Sequence, residues 1–188
     1  GSQLVTQFRK KDAAALAREA DEQKKKLGVV VRHITTLDYK FDGAGYLSDE
    51  KWHVWTIDAD SGEGTQLTDG EYDETGPVWS ADGQWIYFVS NRSERPDVDW
   101  DEVEIYRVPA AGGEMALVPS QPGRKYQLAM SPDGKWLAFM GREKKGHWYQ
   151  NANLYVMALA GGEVRPLSVG TDLHLALASL TDTGSGSP

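Results

Sequence analysis

One phrase occurs twice in this chain: PVWSADGQWIYFVS over residues 77–90 returns as LAMSPDGKWLAFMG over residues 128–141. Ser80 answers to Ser131, Asp82 to Asp133, Gly83 to Gly134, Trp85 to Trp136 and Phe88 to Phe139, each at the offset 131 − 80 = 51. A second half-phrase keeps the register. Val54–Ile57, Ile105–Val108 and Leu154–Met157 occupy equivalent places. Each is followed by a glycine turn with an acid (Gly62-Glu63, Gly112-Gly-Glu114, Gly161-Gly-Glu163) and then by Leu67, Leu117 or Leu167. Self-similarity at roughly 40–50 residues in strand-rich units is the signature of a propeller. The expected fold class is all-β: a partial β-propeller of about three four-stranded antiparallel blades with an N-terminal charged helix.

The local chemistry agrees. Asp82-Gly83 and Asp133-Gly134 are hairpin signals, because Gly accepts the positive φ that a type I′ turn demands. The runs Trp85–Val89 and Trp136–Met140 are almost continuously apolar, as expected of strands buried on both faces between neighbouring blades. Shorter runs at Val29–Ile34, Ala44–Leu47 and His53–Ile57 also read as strands. Ahead of them, Thr6–Leu27 reads as a charged helix with Asp21/Lys25 and Glu22/Lys26 four apart and Gly28 as its cap. Its apolar stripe is thin, which suits an insertion between blades.

These readings divide the chain into a helical insertion or linker over residues 1–28, blades over 29–70, 72–122 and 124–170, the start of a next blade over 171–182, and a flexible tail over 183–188. Gly1-Ser2 reads as an expression scar. A closed propeller needs roughly 4–8 blades. The 188 residues therefore read as a piece of a larger protein, or as one partner of an assembly that self-associates through open blade edges.

Composition narrows the function classes. A net charge of −8 argues against a nucleic-acid groove, which needs a basic face. No apolar run approaches the ~18 residues of a membrane-spanning helix. The absence of cysteine removes disulfides, thiolate metal sites and a cysteine nucleophile, and is compatible with a cytoplasmic location.

The phrases Trp79-Ser80-x-Asp82-Gly83-x-x-Ile86-x-Phe88 and Ile105-Tyr106-x-Val108-x-x-x-Gly112-Gly113-Glu114 resemble TolB-like (PD40) propeller repeats. The stretch ITTLDYKFDGAGYL over residues 34–47, with His53-Val-Trp, Gln66–Gly70 and Phe88–Arg92, is similar to the propeller of acylaminoacyl-peptidase-like serine peptidases of the prolyl oligopeptidase family. The resemblance runs from about Val30 to Asp182. It implies a seven-bladed cap over an α/β-hydrolase domain, with short peptides as substrates and a Ser-Asp-His triad between the two domains. The missing blades and the hydrolase domain are then this chain's partners. No G-x-S-x-G nucleophile elbow occurs here; Gly184-Ser185-Gly186 has the wrong spacing. This chain alone is therefore expected to be no enzyme: no catalytic, cofactor-binding or metal-binding residue is assigned, and no cofactor. The alternative reading is a TolB-like propeller that serves as a protein-interaction scaffold.

Several residues invite sharper readings. The acidic cluster Asp97–Glu104 lacks the order of a calcium loop and reads as a solvated inter-strand loop. Facing a central cavity, its charge would attract basic peptide termini. His33, His53, His147 and His174 show no ligand spacing and read as strand or loop histidines with hydrogen-bonded neighbours. Trp79, Trp85, Trp136 and Tyr87 recur at blade positions and read as packing anchors. Arg142–Tyr149 reads as an exposed hairpin tip.

Overall fold

The computed structural model describes residues 2–11, 13–21, 33–42, 45–47, 50–144, 150–172 and 175. Two complete blades come from the repeat. The first is β6 (Glu74–Trp79), β7 (Trp85–Asn91), β8 (Val103–Pro109) and β9 (Ala116–Val118), antiparallel neighbours in that order. The second is β10 (Lys125–Met130), β11 (Trp136–Gly141), β12 (Asn153–Ala158) and β13 (Arg165–Pro166).

The blade ahead of them departs from expectation. It is a three-stranded sheet of β1 (Gln3–Arg9), β4 (Trp52–Asp58) and β5 (Gly64–Gln66). Residues 6–9, read as the start of a helix, pair antiparallel with β4, Leu4 opposite Ile57 and Phe8 opposite His53. Their alternation decides this: Val5 packs into the core beside Val54, while Phe8 stands edge-on to Trp55 with ring centroids 6.2 Å apart. Among the described residues the helix α1 spans Ala13–Ala20; residues 22–28 of the expected helix, with Lys25, Lys26 and the Gly28 cap, lie outside them. Residues 10–51 are therefore an insertion within the first blade, between β1 and β4, and not between blades. A small hairpin of β2 (Lys40–Phe41) and β3 (Gly45–Tyr46) lies in it. His33 and Ile34 are not in a strand; most of the run expected from Val29 lies outside the described residues.

Blades stack through both faces of their central strands. Ile86 and Phe88 of β7 pack with Val54 and Val108 against the first blade. Tyr87 and Val89 turn to the other side and join Leu128, Leu137, Phe139 and Tyr155 of the third. All but Leu128 are under 5% exposed, which explains the unbroken apolar run. Burying each such side chain contributes roughly 1.5–3 kcal/mol. The inner strands make these contacts: β6 lies against β1 and β4, and β10 against β6, β7 and β8.

The Ser-x-Asp-Gly phrase builds the β6–β7 and β10–β11 turns identically. Ser80 Oγ donates to Asp82 Oδ1 at 2.5 Å and accepts the Trp85 N–H at 2.9 Å; Ser131, Asp133 and Trp136 repeat this at 2.6 and 2.9 Å. The hairpins lie where expected, but the turn type differs. The Gly83 N–H bonds the Ser80 carbonyl, and Gly83 (φ 68°) is the turn's only residue of positive φ. A type I′ turn requires two.

Candidate functional site

Antiparallel blade topology sends the tight turns to one end of the wedge and the long connections to the other. The β1–β4, β7–β8 and β11–β12 connections share that second end with residues 67–73 and 119–124 between blades. Its buried polar groups sit where one blade hands the chain to the next.

At the first junction Glu74, the opening residue of β6, is fully buried. Its carboxylate accepts from His53 Nδ1 at 2.7 Å, from Thr68 Oγ1 at 2.9 Å and from the Arg92 guanidinium. A carboxylate only accepts, so Nδ1 carries the hydrogen. Thr68 Oγ1 in turn accepts the Val54 N–H at 2.8 Å. Arg92 also covers the rings of Tyr72 and Tyr106, at 5.1 and 5.3 Å.

The second junction uses the same positions with the charges exchanged. Lys125 opens β10, and its ammonium is fully buried. Nζ donates to Glu104 Oε2 at 3.0 Å and to the carbonyls of Val103 and Gly123, both at 2.9 Å. Burial pushes this lysine below its usual range, and the hydrogen bond to Glu104 opposes the shift. Glu104 stands 51 residues after His53, as Lys125 does after Glu74. In the third blade Asn153 takes the place of His53 and Glu104, and accepts from Ser168 Oγ at 3.1 Å.

The acidic cluster is not one solvated loop. Asp97 Oδ2 accepts the Leu37 N–H at 2.8 Å and so ties the first blade's insertion to the second blade. Glu102 pairs with Lys144, and Glu104 lies in β8 against Lys125. The carboxylates diverge, and among the described residues no three of His, Asp and Glu converge as metal ligands. Of the histidines, His53 is the buried one with a structural partner, while His33 is exposed; His147 and His174 lie outside the described residues. Trp79 and Tyr87 pack into the inter-blade cores. Trp85 is half-buried under the Arg107 guanidinium at 4.3 Å, whereas Trp136, expected as a packing anchor, is exposed and covered only by Arg165 at 4.9 Å. Of the basic loop, Arg142–Lys144 are described and 145–149 are not.

Sequence reading missed this charged pair of junctions. The signal was available: Glu74 and Lys125 share the 51-residue offset, but a change of charge hides the equivalence from any search for identical residues. The polar groups found here bond across the blade junctions.

Stacked antiparallel blades, with repeated turns at one end and long charged connections at the other, define a β-propeller domain. A family model of the TolB β-propeller domain (PD40) matches residues 45–176. The chain belongs to that family. It is similar to an uncharacterized protein of Agrobacterium fabrum, Atu1656, with 27% identity over 124 residues, covering 64% of this chain and 40% of that protein. It is also similar to an uncharacterized peptidase of Bacillus subtilis, YuxL, with 31% identity over 83 residues, covering 44% of this chain and 12% of the peptidase. Among solved structures, one assigned as a TolB from Agrobacterium tumefaciens superposes with a TM-score of 0.54 at 26% identity, covering 64% of this chain and 42% of that one. TolB from Acinetobacter baumannii gives 0.53 at 18% identity, over 65% of this chain and 28% of its own, and shares the fold. The matched part of the chain thus spans between 12% and 42% of the length of these relatives.

Proposed function

We infer that this chain is a non-catalytic part of the propeller domain of an acylaminoacyl-peptidase-like serine peptidase. Its work is mechanical: it walls one side of a cavity that admits short peptides and excludes folded proteins. The nucleophile, base and oxyanion hole belong to a separate α/β-hydrolase domain. The observation that carries this reading is the commitment of buried charge to structure. Glu74, His53, Arg92, Lys125 and Glu104 all serve blade junctions. The similarity of 83 residues to a peptidase supports the peptidase branch, as does the phrase over residues 34–47. A cytoplasmic setting is part of the same proposal.

A second reading is a TolB-like scaffold that binds protein partners, which the likeness to a TolB structure at 26% identity favours. The reading frame of the gene beyond the blades separates the two. A G-x-S-x-G elbow followed by Asp and His supports the peptidase. A stop after the last blade removes it and leaves the scaffold. Purified chain incubated with an acetyl-amino-acid chromogenic ester is expected to show no turnover above buffer; sustained turnover defeats both readings.

A further inference from the structure

The two blade junctions differ at a further pair of positions. At the first, Arg92 lies over the rings of Tyr72 and Tyr106 while its guanidinium reaches Glu74. The 51-residue offset puts Glu143 where Arg92 stands and Gly123 where Tyr72 stands. Tyr155 takes the place of Tyr106, at 155 − 106 = 49. It also keeps the stacked phenylalanine: ring centroids are 6.0 Å apart for Phe88 and Tyr106, and 5.5 Å apart for Phe139 and Tyr155. The second junction thus retains the aromatic bed, while Glu143 and Gly123 supply neither a guanidinium nor a second ring.

A cavity of about 310 Å³ lies there, between the connection at Gln121 and Pro122, the exposed Glu143 and Lys144 that follow β11, and Tyr155 of the third blade. That is the low end of the range for ligand sites, roughly 300–1,000 Å³, and suits a single side chain. Tyr155 is 3% exposed, and its buried hydroxyl has no hydrogen-bond partner; neither has the buried Oε1 of Gln121. The nearby Asn153 amide is engaged with Ser168 and with the Asn151 carbonyl. Burial, and after it the Glu143 charge, push the Tyr155 phenol above its usual range, and Asn153 opposes the shift. The cations close by are already matched, Lys144 by Glu102 and Lys125 by Glu104. The cavity therefore offers a ligand two hydrogen-bond acceptors, an aromatic ring and negative charge.

We propose that this cavity binds a guanidinium group, seated against Tyr155 and bonded by Glu143, as Arg92 is seated against Tyr106 within the first junction. A guanidinium has five N–H donors in a fixed fork and a flat face that lies on an aromatic ring. An ammonium is a compact, strongly hydrated charge with three donors, and matches this spread of acceptors less well. The ligand supplies from outside the chain the group that the first junction carries in its own sequence.

Calorimetric titration of the whole chain tests this with Nα-acetylarginine amide, its neutral isostere Nα-acetylcitrulline amide, and free L-arginine. Saturable binding of the arginine amide is expected, with the citrulline amide weaker by roughly tenfold or more. Glu143→Gln, a change at an exposed position, should weaken the arginine amide by roughly tenfold and leave the thermal midpoint in place. Tyr155→Phe keeps the ring and should weaken it by roughly two- to tenfold. Tighter binding of the amide than of L-arginine assigns the group to a peptide side chain, and the reverse order assigns it to a free small molecule. No saturable binding of either arginine compound overturns the proposal, as does equal binding of the citrulline amide or undiminished binding by Glu143→Gln. None of these outcomes bears on whether the blades belong to a peptidase.

Discussion

Glu74 and Lys125 open the inner strands of successive blades, 51 residues apart, both buried and opposite in charge. Each is matched by its surroundings as well as by its partner. Glu74 meets three donors, whereas Lys125 meets a carboxylate and two carbonyls. Exchanging the pair at one junction therefore does not restore it: a carboxylate at 125 would face the Val103 and Gly123 carbonyls.

Charge reversal at either position is expected to be severe. Glu74→Lys and Lys125→Glu should each cost about 3–5 kcal/mol, because a buried charge loses its partner. The double reversal Glu104→Lys/Lys125→Glu should recover little of this. Lys125→Met, which keeps the stem and removes the charge, should cost less than Lys125→Glu. Urea unfolding of the four variants ranks them, and full recovery by the double reversal would refute the matched-surroundings argument.

A second expectation concerns a strained residue. The inner strands share a bulge in which Gly76 has φ 61° and its equivalent, Gln127, has φ 52°. A side chain in that region costs about 1–2 kcal/mol, part of which glycine returns through its unfolded-state entropy. Gln127→Gly should stabilise by about 0.5 kcal/mol, and Gly76→Gln should destabilise by about 1 kcal/mol. Thermal midpoints of the two variants should move in opposite directions.

Gly123 and Gly141 mark where the chain entering the third blade presses on the chain leaving β11. A Cβ on Gly123 would lie 2.1 Å from the Arg142 carbonyl oxygen, and one on Gly141 2.6 Å from that of Arg124. Both obstacles are backbone, joined by the Arg142 N–H to Arg124 carbonyl bond at 2.9 Å. Gly141→Ala should cost about 1–3 kcal/mol through overpacking, and Gly123→Ala more, since its φ of 121° adds backbone strain. Gly83→Ala, whose Cβ meets open space, should be the mildest of the three by chemical denaturation.

Acid should loosen the turns. Hydrogen bonds from Ser80 and from Ser131 hold Asp82 and Asp133 below the usual 3.8. A depressed carboxyl contributes stability that is present above its unfolded value and lost as pH falls through the folded one. Asp82→Asn and Asp133→Asn should therefore be less stable than the unaltered chain at pH 5. The gap should narrow as pH drops below 3.8, measured by thermal unfolding across the series. A gap independent of pH would rule out the ionised form as the source.

The sequence by itself determined the blades. A turn of Ser, Asp and Gly followed by an apolar run depends on neighbouring residues alone, and repetition at a fixed offset marks each turn as part of one unit. It also held the strand character of Gln3–Arg9 in the alternation of Leu4, Thr6 and Phe8, but the charged helix-forming residues just beyond obscured so short a run. Only the tertiary structure decided that this strand joins β4 across residues 10–51, because pairing between distant segments leaves no local trace. The same holds for His53, Glu74, Lys125 and Glu104. As residue types they are ordinary surface polars, and only stacking of the blades takes them out of water, which turns each hydrogen bond and charge they carry into a condition of the fold.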